Sequence, residues 1–356
     1  MIVTHIEAEN IRSFKQIEGS FAKNLITIIG PNGSGKTNLL EVLYFSLFAK
    51  GLRSSTDTDM IYNQSEFLRT QVKYQKDGIN KTIKVILKND NTKDLTFNGR
   101  INEKLITLFY ESNAIYFSPG SSQLIKGGPV VRKNFLDRLS MKLNREFSLI
   151  VSKYAQTLKN RNVLIKRRLR EEGDDNLYEI LTHSIIDFSK IIQEERKKMI
   201  ALFNDSIHQS VSIMDVPNLS DIKIQYSPYL ISPRNIAQLK LEEVRRGIST
   251  IGSHLDQIYV KKGSYDAKNY CSEGEQKIIA FLFKLCEFQL IEKNTKNIPI
   301  FLLDDLYSEL DDQNAKKVLD YLVGKSQIFL TTLHEPAVQS DQVINLTRNQ
   351  EELWIL

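Results

Sequence analysis

Gly30-Pro31-Asn32-Gly33-Ser34-Gly35-Lys36-Thr37 matches the pattern G-x-x-x-x-G-K-[ST] at every fixed position. Before it, Leu25-Ile26-Thr27-Ile28-Ile29 is short, apolar and flanked by Asn24 and Gly30, as a buried strand is. After it, Leu39, Leu40, Leu43, Tyr44 and Leu47 recur at helical steps and predict a helix over residues 38–50. Strand, glycine loop and helix form the context in which this pattern cradles phosphate. Glycines let the backbone curl into a nest of inward N–H groups, and the helix start adds its positive end. On this reading all eight residues hold nucleotide. Lys36 reaches the β- and γ-phosphates and takes part in catalysis, and the Thr37 hydroxyl serves Mg²⁺.

A second half-site follows far along the chain. Phe301-Leu302-Leu303-Asp304-Asp305 reads as a buried strand ending in two carboxylates. Asp304 is placed to hold Mg²⁺, and Asp305 to orient an attacking water as general base. A third element is Ser272-Glu273-Gly274-Glu275-Gln276. Ser272 with Glu275 has the form of a capping box, so a plain helix start accounts for it. The alternative is that the serine hydroxyl and the glycine backbone meet a γ-phosphate.

Around these motifs the texture changes twice. Residues 70–118 look β-rich, with a turn at Asn98-Gly99 and a strand at Ala114-Ile115-Tyr116-Phe117. Beyond Pro129, apolar residues step by three and four from Phe135 through Leu139, Leu143, Phe147, Ile150 and Tyr154 to Leu158. A second series runs from Leu181 to Val211, interrupted by Glu195 and Ser206, and a polar breaker at 171–176 separates the two. This predicts a long helical hairpin inserted into an α/β protein and closing near 215–246. The last hundred residues alternate helix and strand again, which argues for a parallel sheet covered by helices. The predicted organisation is an α/β P-loop head in two pieces, 1–128 and 247–356, around a mainly helical arm, 129–246.

The chain has 356 residues, 41% hydrophobic and 26% charged, enough for roughly two domains of about 150 residues each. No run of 18 apolar residues occurs, which argues against a membrane span. The start MIVTHIEAEN has no secretory pattern, and two cysteines, Cys271 and Cys286, make no disulfide framework; the expectation is a cytoplasmic protein. A net charge of +5 permits nucleic acid as a partner without demanding it. Lys159, Arg161, Lys166, Arg167, Arg168 and Arg170 crowd the end of the first hairpin helix. Either they form an ordinary solvated helix face or they neutralise DNA phosphates. No aromatic residues alternate with them, so base stacking is not indicated.

Taken together, the P-loop, the serine-glycine motif, the acidic strand and Ser308-Glu309-Leu310-Asp311 resemble the ABC-type ATPases. The long hairpin between P-loop and serine-glycine motif resembles the branch that holds the SMC proteins and the RecF family, and sets the chain apart from transporter subunits. RecF is the nearest likeness, in Gly35-Lys36-Thr37-Asn38-Leu39-Leu40-Glu41, in Lys126-Gly127-Gly128-Pro129 with Arg132 and Phe135-Leu136-Asp137, and in Arg246-Gly247 with Gly252-Ser253-His254-Leu255-Asp256. The resemblance implies a slow, DNA-stimulated Mg-ATPase in which Ser272, Gly274 and Gln276 of a second copy, with Asp311, close over the nucleotide. ATP would thus drive a homodimer. It further implies binding of duplex DNA beside single-strand gaps, partnership with RecR and RecO, and help in loading recombinase during repair and replication restart. By analogy Arg53 is a contact to DNA or nucleotide, beside Lys166, Arg167 and Arg168.

The chain departs from that pattern at Pro119-Gly120-Ser121-Ser122, where the family has Pro-Glu-Asp near its Q-loop, with Gln123 the nearest substitute. It also departs at Ser253, Leu255 and Gln257, and it carries Thr332 at the place of the ABC switch histidine, with His334 two positions on. These departures keep open an alternative, an SMC-like ATPase of a defence or chromosome-organising system.

Overall fold

A computed structural model describes residues 1–53, 56–63, 65–168, 174–230, 233–295 and 297–355. The described residues fall into two compact units. The first comprises Met1–Ser121, Ile213–Asp215 and Phe281–Leu356, and the second Ser122–Ser212 and Val216–Ala280.

The first unit holds two sheets. Strands β1 (Ile2–Ile11), β2 (Phe14–Ser20), β4 (Phe67–Lys76), β5 (Ile79–Lys88), β6 (Lys93–Phe97), β7 (Arg100–Ile101) and β15 (Glu352–Ile355) form the first, in the order β15-β2-β1-β4-β5-β6-β7. It is antiparallel except for β15 on β2. Asn98 and Gly99 join β6 to β7 with φ of 48° and 80°, the left-handed pair that a two-residue hairpin turn requires. The second sheet contains β3 (Leu25–Ile29), β8 (Ala114–Phe117), β12 (Ile300–Leu303), β13 (Ile328–Thr332) and β14 (Gln342–Asn345), all parallel, in the order β14-β3-β13-β12-β8. Residues of β12 and β13 are buried throughout, which is why they read as unbroken apolar runs.

Helix α1 (Lys36–Phe48) buries Leu39, Leu40, Val42, Leu43, Phe45 and Leu47 completely, in one core with Val3, Ile6, Val72 and Val85 of the antiparallel sheet and Ile26, Ile28 and Phe329 of the parallel one. It is apolar nearly all round because it is covered nearly all round. Its bounds differ from the predicted 38–50. Gly35 and Ala49 both take left-handed conformations and stop the helix at either end.

The second unit is mainly helical, with α2 (Pro129–Leu143), α3 (Arg145–Arg168), α4 (Asp175–Met214) and α5 (Pro233–Arg246). Strands β9 (Ile222–Ser227), β10 (Gln257–Lys262) and β11 (Tyr265–Asp266) form a small antiparallel sheet. Helix α6 (Glu273–Thr295) begins in this unit and continues into the first; α7 (Asp312–Leu322) belongs to the first. The apolar series from Phe135 to Leu158 is two helices rather than one. Asn144 is extended (φ −132°, ψ 106°), and its side chain accepts from the amides of Glu146 and Phe147 as the cap of α3. A periodicity count passes over such a cap. The second series is one helix of 40 residues, about 60 Å long. Residues 171–173 of the breaker lie outside the described residues.

The compact units do not follow the predicted boundaries at 128/129 and 246/247. Residues 122–128 and 247–280 cluster with the helices. One side chain shows why: Arg132 of α2, nearly buried, donates to the carbonyls of Leu124, Ile125, Gly127 and Ile258. Among the described residues no helix is long and apolar enough to cross a membrane.

Candidate nucleotide site

β3, β12 and β13 end side by side, and the site lies beyond their carboxyl ends, where open parallel sheets place ligands. β3 runs directly into the P-loop, β12 into Asp304 and Asp305, and Thr331 is the penultimate residue of β13.

The cradle's shape comes from its glycines. Gly33 and Gly35 have φ of 82° and 93°. A Cβ on Gly30 would stand 2.5 Å from Ser34 Oγ and 2.7 Å from the Leu346 carbonyl. The first turn of α1 has neither an acidic residue nor a side-chain cap, so no side chain of that turn takes up its amides. Ser34 Oγ is buried and has no hydrogen-bond partner among the described residues. A cradle lined by such groups suits the oxygens of a phosphate. Lys36 Nζ donates to the carbonyls of Gly30 (2.5 Å) and Pro31 (3.2 Å). Burial pushes its ammonium below the ordinary lysine range, against the pull of Asp305 and Asp304.

The acidic half meets this cradle at one point, where the Thr37 hydroxyl donates to Asp304 Oδ1 at 2.9 Å. Two residues that sequence reading missed complete the shell. Thr331 Oγ1 donates to the same oxygen at 2.9 Å, and Tyr116 OH donates to Oδ2 at 3.0 Å. Burial first, and the Asp304 charge second, push the Tyr116 phenol above its ordinary pKa, so it stays a donor. Hydroxyl and carboxylate oxygens are the hard donors that Mg²⁺ takes. Asp305 is left-handed, with φ 55° and ψ 45°, a costly conformation for a residue with a side chain; its amide donates to Thr331 Oγ1 at 2.8 Å. Tyr116 pairs with Leu302 and so shares a face with Asp304, a relation set by which strands are neighbours and carried by no local pattern.

Arg53 lines this cleft, a space of about 250 Å³ shared with residues 32–38, Asp304, Asp305 and Thr331. Its guanidinium donates to Asn38 Oδ1 at 3.0 Å and Glu41 Oε2 at 3.1 Å. Glu41 is fully buried and also receives two bonds from Arg12. Burial would raise its pKa, but the Arg12 and Arg53 guanidiniums outweigh that and hold it low.

In the second unit, Ser272 and Gly274 are exposed at the head of α6. The capping box is present: the Ser272 amide donates to Glu275 Oε2 at 2.9 Å and the Glu275 amide to Ser272 Oγ at 3.3 Å. Glu273 and Glu275 are drawn aside by Lys126 (2.9 Å) and Lys262 (2.6 Å). Gln276 turns inward, donating to the carbonyls of Lys268 and Cys271, and so braces the loop behind Ser272. Asp311 is exposed and caps α7, accepting from Asn314 N at 2.8 Å. Pro119–Ser122 forms a short 3₁₀ turn and Gln123 is exposed; Thr332 bonds within its own turn to His334, whose side chain faces solvent.

With this geometry in place, comparison with known proteins gives the family. The RecF/RecN/SMC N terminal domain family matches residues 2–353. The DNA replication and repair protein RecF of Lactobacillus acidophilus is 31% identical over 347 residues, covering 93% of this chain and 92% of that protein. This chain belongs to the RecF family. RecF of Oceanobacillus iheyensis is 27% identical over 369 residues, 98% of this chain and 99% of that one. Among solved structures, the recombination mediator protein RecF-ATPrS in the RecFOR pathway superposes with a TM-score of 0.88 at 23% identity, over 99% of this chain and 98% of that one. The Smc head bound to the C-winged helix domain of ScpA has a TM-score of 0.54 at 17% identity, over 94% of this chain and 90% of that one. The fold is therefore the P-loop ATPase head common to RecF and Smc proteins.

One RecF-like stretch, Gly252-Ser253-His254-Leu255-Asp256, turns out to be largely internal. Asp256 is fully buried and accepts from Arg196, Tyr226, Tyr229 N and Gln193; His254 is bonded to Tyr154 and to the Ser249 carbonyl. In the basic stretch, Lys159, Lys166 and Arg167 are exposed. Arg161 is not; it is fully buried and bidentate on Glu243 of α5 at 2.8 Å. The Arg168 side chain and Arg170 lie outside what the structure describes.

Proposed function

We propose that this chain is an ATP-driven recombination mediator: it binds Mg-ATP, pairs with a second copy, holds duplex DNA next to single-strand gaps, and releases it on slow hydrolysis. The observation that carries the reading is the convergence of two distant motifs, Thr37 on Asp304 at 2.9 Å, beneath a glycine cradle. In that cleft Lys36 leaves the loop carbonyls for the triphosphate oxygens. Thr37 and Asp304 would hold Mg²⁺, whose chemistry would be to neutralise phosphoryl charge. Asp305 orients the attacking water and accepts its proton. Its short side chain and strained backbone support slow turnover. Ser272 and Gly274, exposed at the head of a helix, meet the γ-phosphate on a second copy, the Ser272 hydroxyl leaving Glu275 to do so.

Arg53, bonded beside the cradle, is read as a nucleotide-side group, and Lys166 and Arg167, with Arg168, as the DNA side. The curated relatives, DNA replication and repair proteins of matching length, support DNA as the partner. Stimulation by DNA, help in loading recombinase, RecR and RecO as companions and a cytoplasmic setting belong to the same proposal. No observation of its own favours the defence or chromosome-organising alternative.

Light scattering on Asp305→Asn with ATP and with ADP tests the switch. The mass should double with ATP alone, and Ser272→Arg should abolish the doubling. A mass unchanged by ATP in Asp305→Asn removes the basis for pairing across the nucleotide.

A further inference from the structure

Asp304 is gripped from both sides of its strand. β12 lies between β13 and β8. Thr331 reaches Oδ1 from β13, alongside Thr37 from α1, and Tyr116 reaches Oδ2 from β8. The torsion that sets a carboxylate's plane is broad and roughly two-fold. Bonds to Oδ1 alone leave that plane free to tilt, whereas a donor on the far oxygen fixes it. Tyr116 is suited to this. It pairs in register with Leu302, two residues before Asp304, and its phenol is partly enclosed. β8 then runs directly into the Ser118–Ser121 turn, in which the Ser118 amide donates to Ser121 Oγ at 3.0 Å. This is the stretch that carries Pro119-Gly120, the departure no part of the mechanism used.

We infer that Tyr116 is a positioning residue for metal-nucleotide binding, its hydroxyl fixing the plane of the Asp304 carboxylate toward the cation. The inference rests on Asp304 as the holder of Mg²⁺. It assigns the Tyr116 hydroxyl a purpose beyond packing: the ring alone fills space, and only the O–H donates to Oδ2.

Tyr116→Phe tests it, because it removes one oxygen and keeps the ring. Binding of a fluorescent ADP to the full chain is titrated with Mg²⁺, and repeated in EDTA; Mn²⁺ affinity of the ADP complex is read by electron paramagnetic resonance. In Tyr116→Phe the cation dissociation constant should rise about 10- to 100-fold, the usual effect of removing a group that orients a metal ligand. Nucleotide affinity in EDTA should match the parent, which also certifies that the variant is folded. Cation titrations that superimpose on the parent overturn the inference. Asp304→Asn separates the underlying reading. If it too leaves cation affinity unchanged, Asp304 is not the metal holder and both fall; if it loses the cation while Tyr116→Phe does not, only the role of Tyr116 falls.

Discussion

The backbone amide of Asp305 donates to the side-chain oxygen of Thr331, 2.8 Å away on the neighbouring strand. The same hydroxyl donates to Asp304 at 2.9 Å, so one threonine oxygen ties the Asp304 carboxylate to the Asp305 backbone. A left-handed residue with a side chain costs about 1–3 kcal/mol and persists only where its surroundings hold it. Thr331, fully buried, is part of what holds it. Thr331→Val leaves the Asp305 amide without its partner and should lower kcat by about 10- to 100-fold with little change in nucleotide affinity in EDTA. Thr331→Ser, which keeps the oxygen, should restore most of the rate. Equal rates for the valine and serine variants would show that the hydroxyl is idle.

The three glycines of the cradle should fail for different reasons when changed to alanine. At Gly33 no described residue lies within 4 Å of the added carbon, so the cost is the left-handed backbone alone, about 1–2 kcal/mol. Gly35 adds crowding by Phe14 at 3.2 Å and Ser13 at 3.3 Å. Gly30 has an ordinary φ, but its added carbon meets the Leu346 backbone at 2.7 Å, which cannot swing aside as a side chain does. Urea unfolding should rank Gly33→Ala as the mildest of the three. A Gly30→Ala protein as stable as the parent would refute the close approach.

Most of the candidate site was legible because each half is written in consecutive residues. A loop of eight residues between an apolar strand and a helix needs no tertiary information, and an apolar run ending in Asp304-Asp305 needs little more. What stayed hidden is whatever depends on strand order. Tyr116 and Thr331 reach Asp304 only because β8 and β13 flank β12, which no local pattern encodes. Asn144 escaped because the apolar steps continue in phase across it. Arg161 was misplaced for the converse reason. Neighbouring charges suggest a wet face, yet its partner Glu243 is 82 residues away and makes burial tolerable.

Acid should weaken the helical unit in two stages. Burial pulls His254 below its ordinary pKa of 6.5. Burial would raise Glu243, but hydrogen bonds from Arg161 and Tyr178 leave it below its ordinary 4.5. In both cases the unfolded chain binds protons more readily than the folded one. Each therefore contributes stability that is complete above its ordinary value and lost as pH falls through the folded value. The first loss begins near 6.5 with His254 and the second near 4.5 with Glu243. Melting temperatures followed from neutral to acid pH should fall in that order, and His254→Gln should flatten the first stage only. A first stage that survives in His254→Gln belongs to another group.

Arg161 and its neighbours Lys166 and Arg167 should part company when mutated. Breaking a fully buried pair leaves an unpaired charge inside and costs about 3–5 kcal/mol, so Arg161→Ala should unfold the helical unit well below the parent's midpoint. Lys166→Glu with Arg167→Glu touches only exposed side chains and should leave the melting curve nearly unchanged. Its effect should appear in DNA binding. Each phosphate contact contributes about 0.9 to the slope of log K against log salt, so losing two should make that slope shallower by nearly 2. Binding of gapped duplex measured across a salt series separates the two cases. An unchanged slope in the double glutamate variant would mean that DNA lies elsewhere, on a surface this basic stretch does not reach.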